Sequence, residues 1–506
     1  MKRPLSYLFC LLISASALAQ NPTASEPLAN IDSVLTQILN DSHIAGFAVA
    51  VVKGNDIIYS KGFGYRDMEL KKPVTPNTLF AVGSTSKAFT SSLLGLLREE
   101  GKLTFEDKAV HLLPQLQFYS NEMNNQINLR DLMAHRTGLS RYDSSWLYFN
   151  TSDRNNIIKR VQYMKPTSGV REKWYYNNFM FVAQGMIVER LSGKTWEQNI
   201  SEKFFEPLEM TRSTTNFETF KRDSDVALPY TVSDKKEIKR LEYYNINGMG
   251  PAGSINSSVT DMANWLKVWT NEGKFKGKQV LPASYITEAI SSQMVMEGAL
   301  PDEKHKDIYF ANYGLGWMIG SYRGYYVVEH GGNINGFSAI VSLYPSEDLA
   351  IVVLTNQQAS QVPRAVSNSI GDRLLGLRPI NWNEEINPKE DKSNQDKEDK
   401  KKLPILNTKA SHGLKEYVGS FEHPAYGVIK ITQENSKLYT ALGDDKYVLK
   451  HLHYDVFDLK KLDSKGIETT EATNLLFNFS SDIEGKINAV GILLDGNEKP
   501  VMFEIK

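Results

Sequence analysis

The sequence predicts an α/β domain with an all-α insertion over residues 20–380, followed by a charged linker at 381–402 and an all-β barrel or sandwich at 403–506. Three observations predict it. Strand patterns at both ends of the first region enclose a mostly helical middle third. From Asn381 to Lys402 the chain turns to Glu384, Glu385, Lys389, Glu390 and the run Asp396 to Lys402, with nothing apolar enough to pack, which marks a solvated linker. Beyond it, short strand-like runs such as Gly427 to Thr432, Lys437 to Leu442, Tyr454 to Leu459 and Ala489 to Leu494 alternate with turns. A chain of 506 residues with 41% hydrophobic composition exceeds one ordinary domain and has ample core.

Residues 1–19 read as a secretory signal peptide: Lys2 and Arg3 lead an apolar run from Leu5 to Ala19 that ends in the small-x-small pattern Ala17-Leu18-Ala19. Cys10, the one cysteine, lies inside it behind Leu8-Phe9, so the mature chain has no disulfide, thiol nucleophile or thiolate metal site. No later segment is apolar for long enough to span a bilayer. The formal net charge of -1 gives no electrostatic case for nucleic acid or an anionic membrane. An exported protein, periplasmic or secreted, is the expectation.

Ile31 to Leu39 has helical spacing, and Gly46 to Val52 and Ile57 to Gly64 read as strands joined by a tight turn at Lys53-Gly54-Asn55-Asp56. Asn128 with Asp131 three residues on forms a capping pattern for a helix expected to end on Gly138. Phe179 to Leu191 forms a long helix closed by Gly193, and Thr195 caps the next. Pro251 to Ser254 reads as a turn before a helix that opens at Thr260-Asp261. Strands return at Leu315 to Gly320, Tyr325 to Glu329, Phe337 to Tyr344 and Leu349 to Leu354, and a helix from Val362 to Leu375 closes the region.

Three stretches carry chemistry. Ala81 to Leu97 joins a small-residue turn to leucines at 93, 94, 96 and 97, so Ser84 stands at or just inside the N-terminus of a buried helix. Residues three apart share a helix face, so Lys87 reaches the Ser84 hydroxyl: a candidate nucleophile and its activator. The plainer reading is an N-cap serine with a surface lysine on the first turn. A second Ser-x-x-Lys, Ser233 to Lys236, has no apolar helix behind it and reads as a solvated loop. Lys173-Trp174-Tyr175-Tyr176-Asn177-Asn178 precedes a helix and offers a Tyr-x-Asn pair in two registers, Tyr175 with Asn177 or Tyr176 with Asn178. Glu329 to Phe337, through His330-Gly331-Gly332-Asn333, stands at the end of one predicted strand and the start of another; its glycines allow close backbone approach and exposed N–H groups, or simply a hairpin turn.

The order and spacing of these three resemble the serine β-lactamase and penicillin-binding-protein superfamily, in its class C-like branch, over about residues 25–378. Supporting segments are Thr78 to Ser84, Leu129 to Leu139 and Pro251 to Ser254. The resemblance implies a β-lactamase-like antiparallel sheet flanked by helices with a helical subdomain, and a serine hydrolase working through an acyl-enzyme. It also selects the register, because the family's tyrosine stands nine residues before a helix glycine, as Tyr176 does before Gly185. By resemblance, Ser84 is the nucleophile, Lys87 and Tyr176 move its proton, the Ser84 and Asn333 N–H groups hold the oxyanion, and Asn178 binds the substrate carbonyl. His330-Gly331-Gly332 stands where many relatives carry Lys-Thr-Gly to hold a substrate carboxylate. A largely neutral imidazole anchors a carboxylate more weakly, which favours a peptidase or esterase over an efficient β-lactamase.

The implied substrate is a small molecule or peptide: a D-amino-acid peptide, a β-lactam or a small ester. The alternative is a penicillin-binding or sensor protein on the same fold that does not turn over. No cofactor and no metal is implied, since His451 and His453 share a strand face without an apparent third ligand. The C-terminal module resembles the lipocalin-like β domains appended to some members, and would shape the cleft, restrict substrate size or mediate assembly into a homo-oligomer.

Overall fold

The computed structural model describes residues 27–233, 235–297, 307, 309–388, 408–463, 465–494 and 500–506. The expected signal peptide at 1–19 with Cys10, and the linker from 389 to 402, lie outside the described residues. A nine-stranded antiparallel sheet runs from Met294–Glu297 through Ala311–Tyr313, Met318–Tyr322, Tyr325–Ile334, Phe337–Tyr344 and Leu349–Thr355 to Gly46–Lys53, Asp56–Asp67 and Lys72–Pro73. Sequence-distant strands thus meet at its centre, where Phe47 pairs with Thr355 and Lys53 with Leu349.

The alternation along Gly46–Lys53 divides two cores. Phe47, Val49 and Val51 face Leu35 and Ile38 of helix Ile31–Asp41 and Val366 and Ile370 of helix Val362–Leu374. Ala48, Ala50 and Val52 face the opposite core, with Trp265 and Leu266 of helix Val259–Thr270. A strand covered on both faces reads as continuously apolar, which is why no polar alternation marks it in the sequence. The chain between Lys72–Pro73 and Met294–Glu297 supplies the helical insertion, including Ser86–Glu99 and Asn178–Ser192, which pack on each other.

Several boundaries differ from expectation. The strand expected to stop at Glu329 continues to Ile334, with Gly331, Gly332 and Asn333 paired to Ile340, Ala339 and Ser338, and the turn falls at Asn335-Gly336. The helix capped by Asn128 and Asp131 ends at Met133, because His135 adopts a left-handed backbone at φ 55°. Pro251 to Ser254 is the end of a one-turn helix, Gly250–Gly253, and the strand expected from Leu315 begins at Met318. The linker does not begin at Asn381. Trp382–Ile386 is helical: Trp382 donates its indole N–H to Asp372 at 2.9 Å, and Asn383 is buried against Asp41. Trp382 and Ile386 pack on the core, and Asn383 and Asn387 bond to Asp41 and Ser42, so a segment whose charge suggested solvation is held in place.

The C-terminal strands Gly419–His423, Gly427–Glu434, Lys437–Leu442, Asp445–His453, Val456–Leu462, Glu468–Ser481, Ile487–Ile492 and Val501–Ile505 form a closed barrel, each paired with the next and the last with the first. Its interior is filled by Tyr417, Phe421, Phe457, Phe477 and Phe479, as expected for a small barrel. One core member comes from outside: Phe149 of the first domain stacks on Phe503 at 5.8 Å and lies 4.9 Å from Tyr426. Beside it, Tyr148 donates its hydroxyl to the Thr473 carbonyl.

Candidate active site

The turn that presents Ser84 is forced by contact with the strand carrying His330. Gly83 adopts φ 54°, and a Cβ there would lie 2.8 Å from the Asn333 nitrogen. A Cβ on Gly332 would lie 2.0 Å from the Val82 carbonyl oxygen and 3.1 Å from the Ser84 nitrogen. Two backbones crossing at this distance admit only glycine, so Gly332 is a strand glycine demanded by close approach. Ser84 belongs to a single tight turn, Gly83–Thr85, that runs into helix Ser86–Glu99. The Ser86 hydroxyl fastens that junction by donating to the Gly83 carbonyl and accepting from the Ile255 N–H.

Lys87, on the first helical turn, is completely buried. Its Nζ stands 3.0 Å from the Ser84 hydroxyl, 2.8 Å from Asn178 Oδ1 and 2.7 Å from the Ala252 carbonyl oxygen. Asn178 has this orientation because its Nδ2 donates to the Asp143 carboxylate at 3.0 Å. Two of the three neighbours of Nζ are therefore carbonyl oxygens, which only accept. Burial, with Arg141 adding repulsion, drives Lys87 well below the usual lysine range, while Asp143 opposes the shift. A neutral amine here spends its two N–H bonds on the two carbonyls and aims its lone pair at the Ser84 hydroxyl.

Tyr176 covers this pair, its ring centre 4.8 Å from Lys87 Nζ. Burial raises its phenol pKa and the Ser84 side chain pulls it back, leaving it protonated at neutral pH. Tyr176 and Asn178 share the cleft with Ser84. Asn177 is instead turned away: it caps helix Asn178–Ser192 by accepting from Phe179 N and gives its Nδ2 to the Ser140 carbonyl. Tyr175 lines the outer cleft without joining the Lys87 cluster.

His330 lies behind Tyr176, buried. Its Nδ1–H donates to its neighbour's carbonyl at Gly331, 2.7 Å away, and its Nε2 accepts from the Tyr313 hydroxyl at 2.9 Å. Burial and the Lys87 charge push its pKa down to about 3, so the imidazole is neutral and offers no cation to a substrate. Gly331 and Asn333 line the cleft, and the Asn333 side chain accepts from Ser338. Ser233 and Lys236 fall on the hairpin between Tyr230–Val232 and Ile238–Arg240, outside this cluster.

Four participants escaped the sequence reading. Ala252 contributes only a backbone carbonyl, which no side chain announces. Asp143 and Arg141 look like a solvated loop pair, yet Asp143 orients Asn178 and Arg141 stands 4.7 Å from the Tyr176 ring centre. His135, buried 4.4 Å from the Tyr176 ring with Nδ1 accepting from Asn177 N, is the fourth; its left-handed backbone is a tertiary constraint with no local signal. The whole encloses a cleft of about 520 Å³, the size that takes a small ligand.

Residues 31–371 match the Beta-lactamase family, and residues 403–504 match a domain of unknown function, DUF3471. Unguisins hydrolase ungD' of Aspergillus campestris is 27% identical over 453 residues, covering 84% of this chain and 82% of that protein. Protein flp of Staphylococcus aureus (strain MW2) is 26% identical over 344 residues, covering 67% of this chain and 65% of its own length, so the chain spans just under two thirds of that relative. Among solved structures, the octameric penicillin-binding protein homologue from Pyrococcus abyssi shares the fold, with a TM-score of 0.62 at 20% identity over 94% of this chain and 100% of the other. The family match extends through well over half of the sequence and holds every residue of the cluster around Ser84, and by it this chain belongs to the Beta-lactamase family.

Proposed function

We propose that the protein is an exported serine hydrolase that cleaves an amide or ester through an acyl-enzyme at Ser84. The observation that carries this is the set of three oxygen neighbours around Lys87 Nζ: two are acceptor-only carbonyls that take the N–H bonds of a neutral amine, and the third is the Ser84 hydroxyl, which faces the remaining lone pair. Ser84 Oγ attacks the carbonyl carbon as its proton passes to Lys87. Tyr176, kept protonated by burial, gives a proton to the leaving amine or alkoxide and retakes the one that Lys87 holds. The Ser84 and Asn333 N–H groups, which the family resemblance assigns to the oxyanion, belong to the two backbones that meet at Gly83 and Gly332, and each donor would be worth about 3 kcal/mol in the transition state. Asn178 has one Nδ2 proton committed to Asp143 and one left for the substrate carbonyl. Water then attacks the acyl-enzyme, and its proton returns along the same path. The neutral His330 offers no charge to a substrate carboxylate, unlike the lysine many relatives carry at this position.

The relative named a hydrolase agrees with this reading, and the octameric relative makes assembly of this chain worth measuring by light scattering. The decisive test incubates the full chain and Ser84→Ala with chromogenic esters, D-amino-acid peptides and a cephalosporin, with intact-mass detection of the acyl adduct. Turnover and a Ser84-dependent adduct are expected. An adduct without turnover would instead select the sensor reading, and equal behaviour of the two proteins would remove Ser84 from either account.

A further inference from the structure

The cleft around Ser84 is walled by aromatic and small residues, and among the described residues that line it only Arg141 carries a formal charge. Its side chain is 56% exposed, so the guanidinium is not a core ion held for packing. It is nevertheless fixed from two directions. Nε donates to Asp143 Oδ2 at 2.6 Å, and the planar group lies 4.7 Å from the centre of the Tyr176 ring. Nη1 and Nη2 donate to no described residue, so the forked end that suits a carboxylate is uncommitted.

The far side of the Asp143 carboxylate is equally engaged. Oδ1 accepts from Asn178 Nδ2 at 3.0 Å and from the Trp146 indole at 2.8 Å. One carboxylate therefore bridges Arg141 to Asn178, and Asn178 holds Lys87. This chain of contacts ties the guanidinium to the residues around the Ser84 hydroxyl, and both line the same cleft, so an anion held by Arg141 lies in the cavity that Ser84 faces. His330 cannot take that part, being buried, neutral and hydrogen-bonded at both nitrogens.

We propose that Arg141 is a specificity residue that anchors a carboxylate on the substrate, making the preferred substrates acids: peptides or esters with a free carboxylate near the bond that is cleaved. The assignment rests on the acyl-enzyme reading of Ser84, but its binding part does not require turnover. Asp143 is the positioning residue that turns the guanidinium and Asn178 toward one ligand.

The test uses two p-nitrophenyl esters of glutaric acid, one with its far end free as the carboxylate and one capped as a methyl ester. The readout is the ratio of their kcat/KM values in the full-length protein, which cancels effects common to both. The wild type favours the free acid, Arg141→Gln lowers the ratio by about 10- to 100-fold, the loss of a charged bidentate contact, and Arg141→Lys falls between them. A ratio that Arg141→Gln leaves unmoved overturns the proposal, as does a wild type that prefers the capped ester. If neither ester turns over, the hydrolase reading fails for these compounds, and calorimetry of the free-acid ester on Ser84→Ala against Ser84→Ala with Arg141→Gln decides the anchor alone. Weaker binding by the double variant supports it, and equal binding overturns it.

Discussion

Lys87 and Arg141 stand 4.8 and 4.7 Å from the centre of the same Tyr176 ring, and the two cations have opposite fates. Lys87 is walled in and driven toward the neutral amine; Arg141 lines the cleft with its side chain more than half exposed. The inner half of the cleft, with the partly exposed Ser84 and the buried Lys87, Asn178 and His330, is free of a stable charge, which suits proton transfer. The outer half, with Arg141, Asp143 and Trp146, is half-exposed and charged, which suits selection among ligands. On the proposed reading, desolvation divides chemistry from recognition within one pocket.

Changes to the inner half are expected to lower activity on every substrate alike. Ser84→Ala has the largest effect, a loss of about 10⁴-fold or more in kcat with no acyl adduct by mass spectrometry. Lys87→Met, which keeps the bulk and removes the lone pair, follows with about 10²- to 10⁴-fold in kcat and little change in KM. Selective loss on one substrate class in either variant would contradict a division between inner and outer halves.

The inner half was legible in the sequence and the outer half was not. Ser84 and Lys87 are coupled by helix geometry, so their spacing announced them. Tyr176 and Asn178 needed the family resemblance to fix a register that local spacing left open, and the structure gives the physical reason: Asn177 is used up as a helix cap. The His330 segment was placed between two strands, with close backbone approach or a hairpin turn both open; its glycines lie within one strand that passes against Val82 and Ser84. Strands, hairpin and an all-β module followed from periodicity and turn residues, and the pairing of the last strand with the first decides for a barrel over a sandwich. Arg141, Asp143 and the Ala252 carbonyl acquire their roles only from tertiary contacts between segments as far apart as 165 residues, and nothing local encodes that.

The outer half is also the half tied to the barrel. From Asp143 at the cleft, helix Asp143–Tyr148 leads directly to Phe149 in the barrel core, and buried Arg160 clasps the segment by donating to the Ser145 and Phe149 carbonyls at 2.7 Å each. Phe149→Ala removes a core aromatic and is expected to cost about 3–5 kcal/mol in the barrel's unfolding free energy. Activity should fall about tenfold through loosened positioning of Asp143 and Asn178, with Ser84 still acylated by a small reactive ester. Unchanged kinetics alongside a destabilised barrel would show that the second domain does not hold the cleft wall.

The smallest effect joins the two halves. Arg141 lowers the Lys87 pKa by repulsion, so the outer charge would assist Lys87 in the base role proposed for it. If Lys87 must be neutral to accept the Ser84 proton, kcat/KM rises with pH through the lysine pKa and is lost below it. Removing the guanidinium relieves the repulsion, raises that pKa and moves the acidic limb of the profile to higher pH. For two charges on either side of one aromatic ring, partly screened by solvent, the shift should be about 0.3 to 1 pH unit. It is read on the neutral capped ester, where loss of a carboxylate contact does not enter. His330, with a pKa near 3, adds no inflection between pH 5 and 8. A shift toward lower pH in Arg141→Gln would mean that the limb reports a group other than Lys87, and the inner half would need a different base.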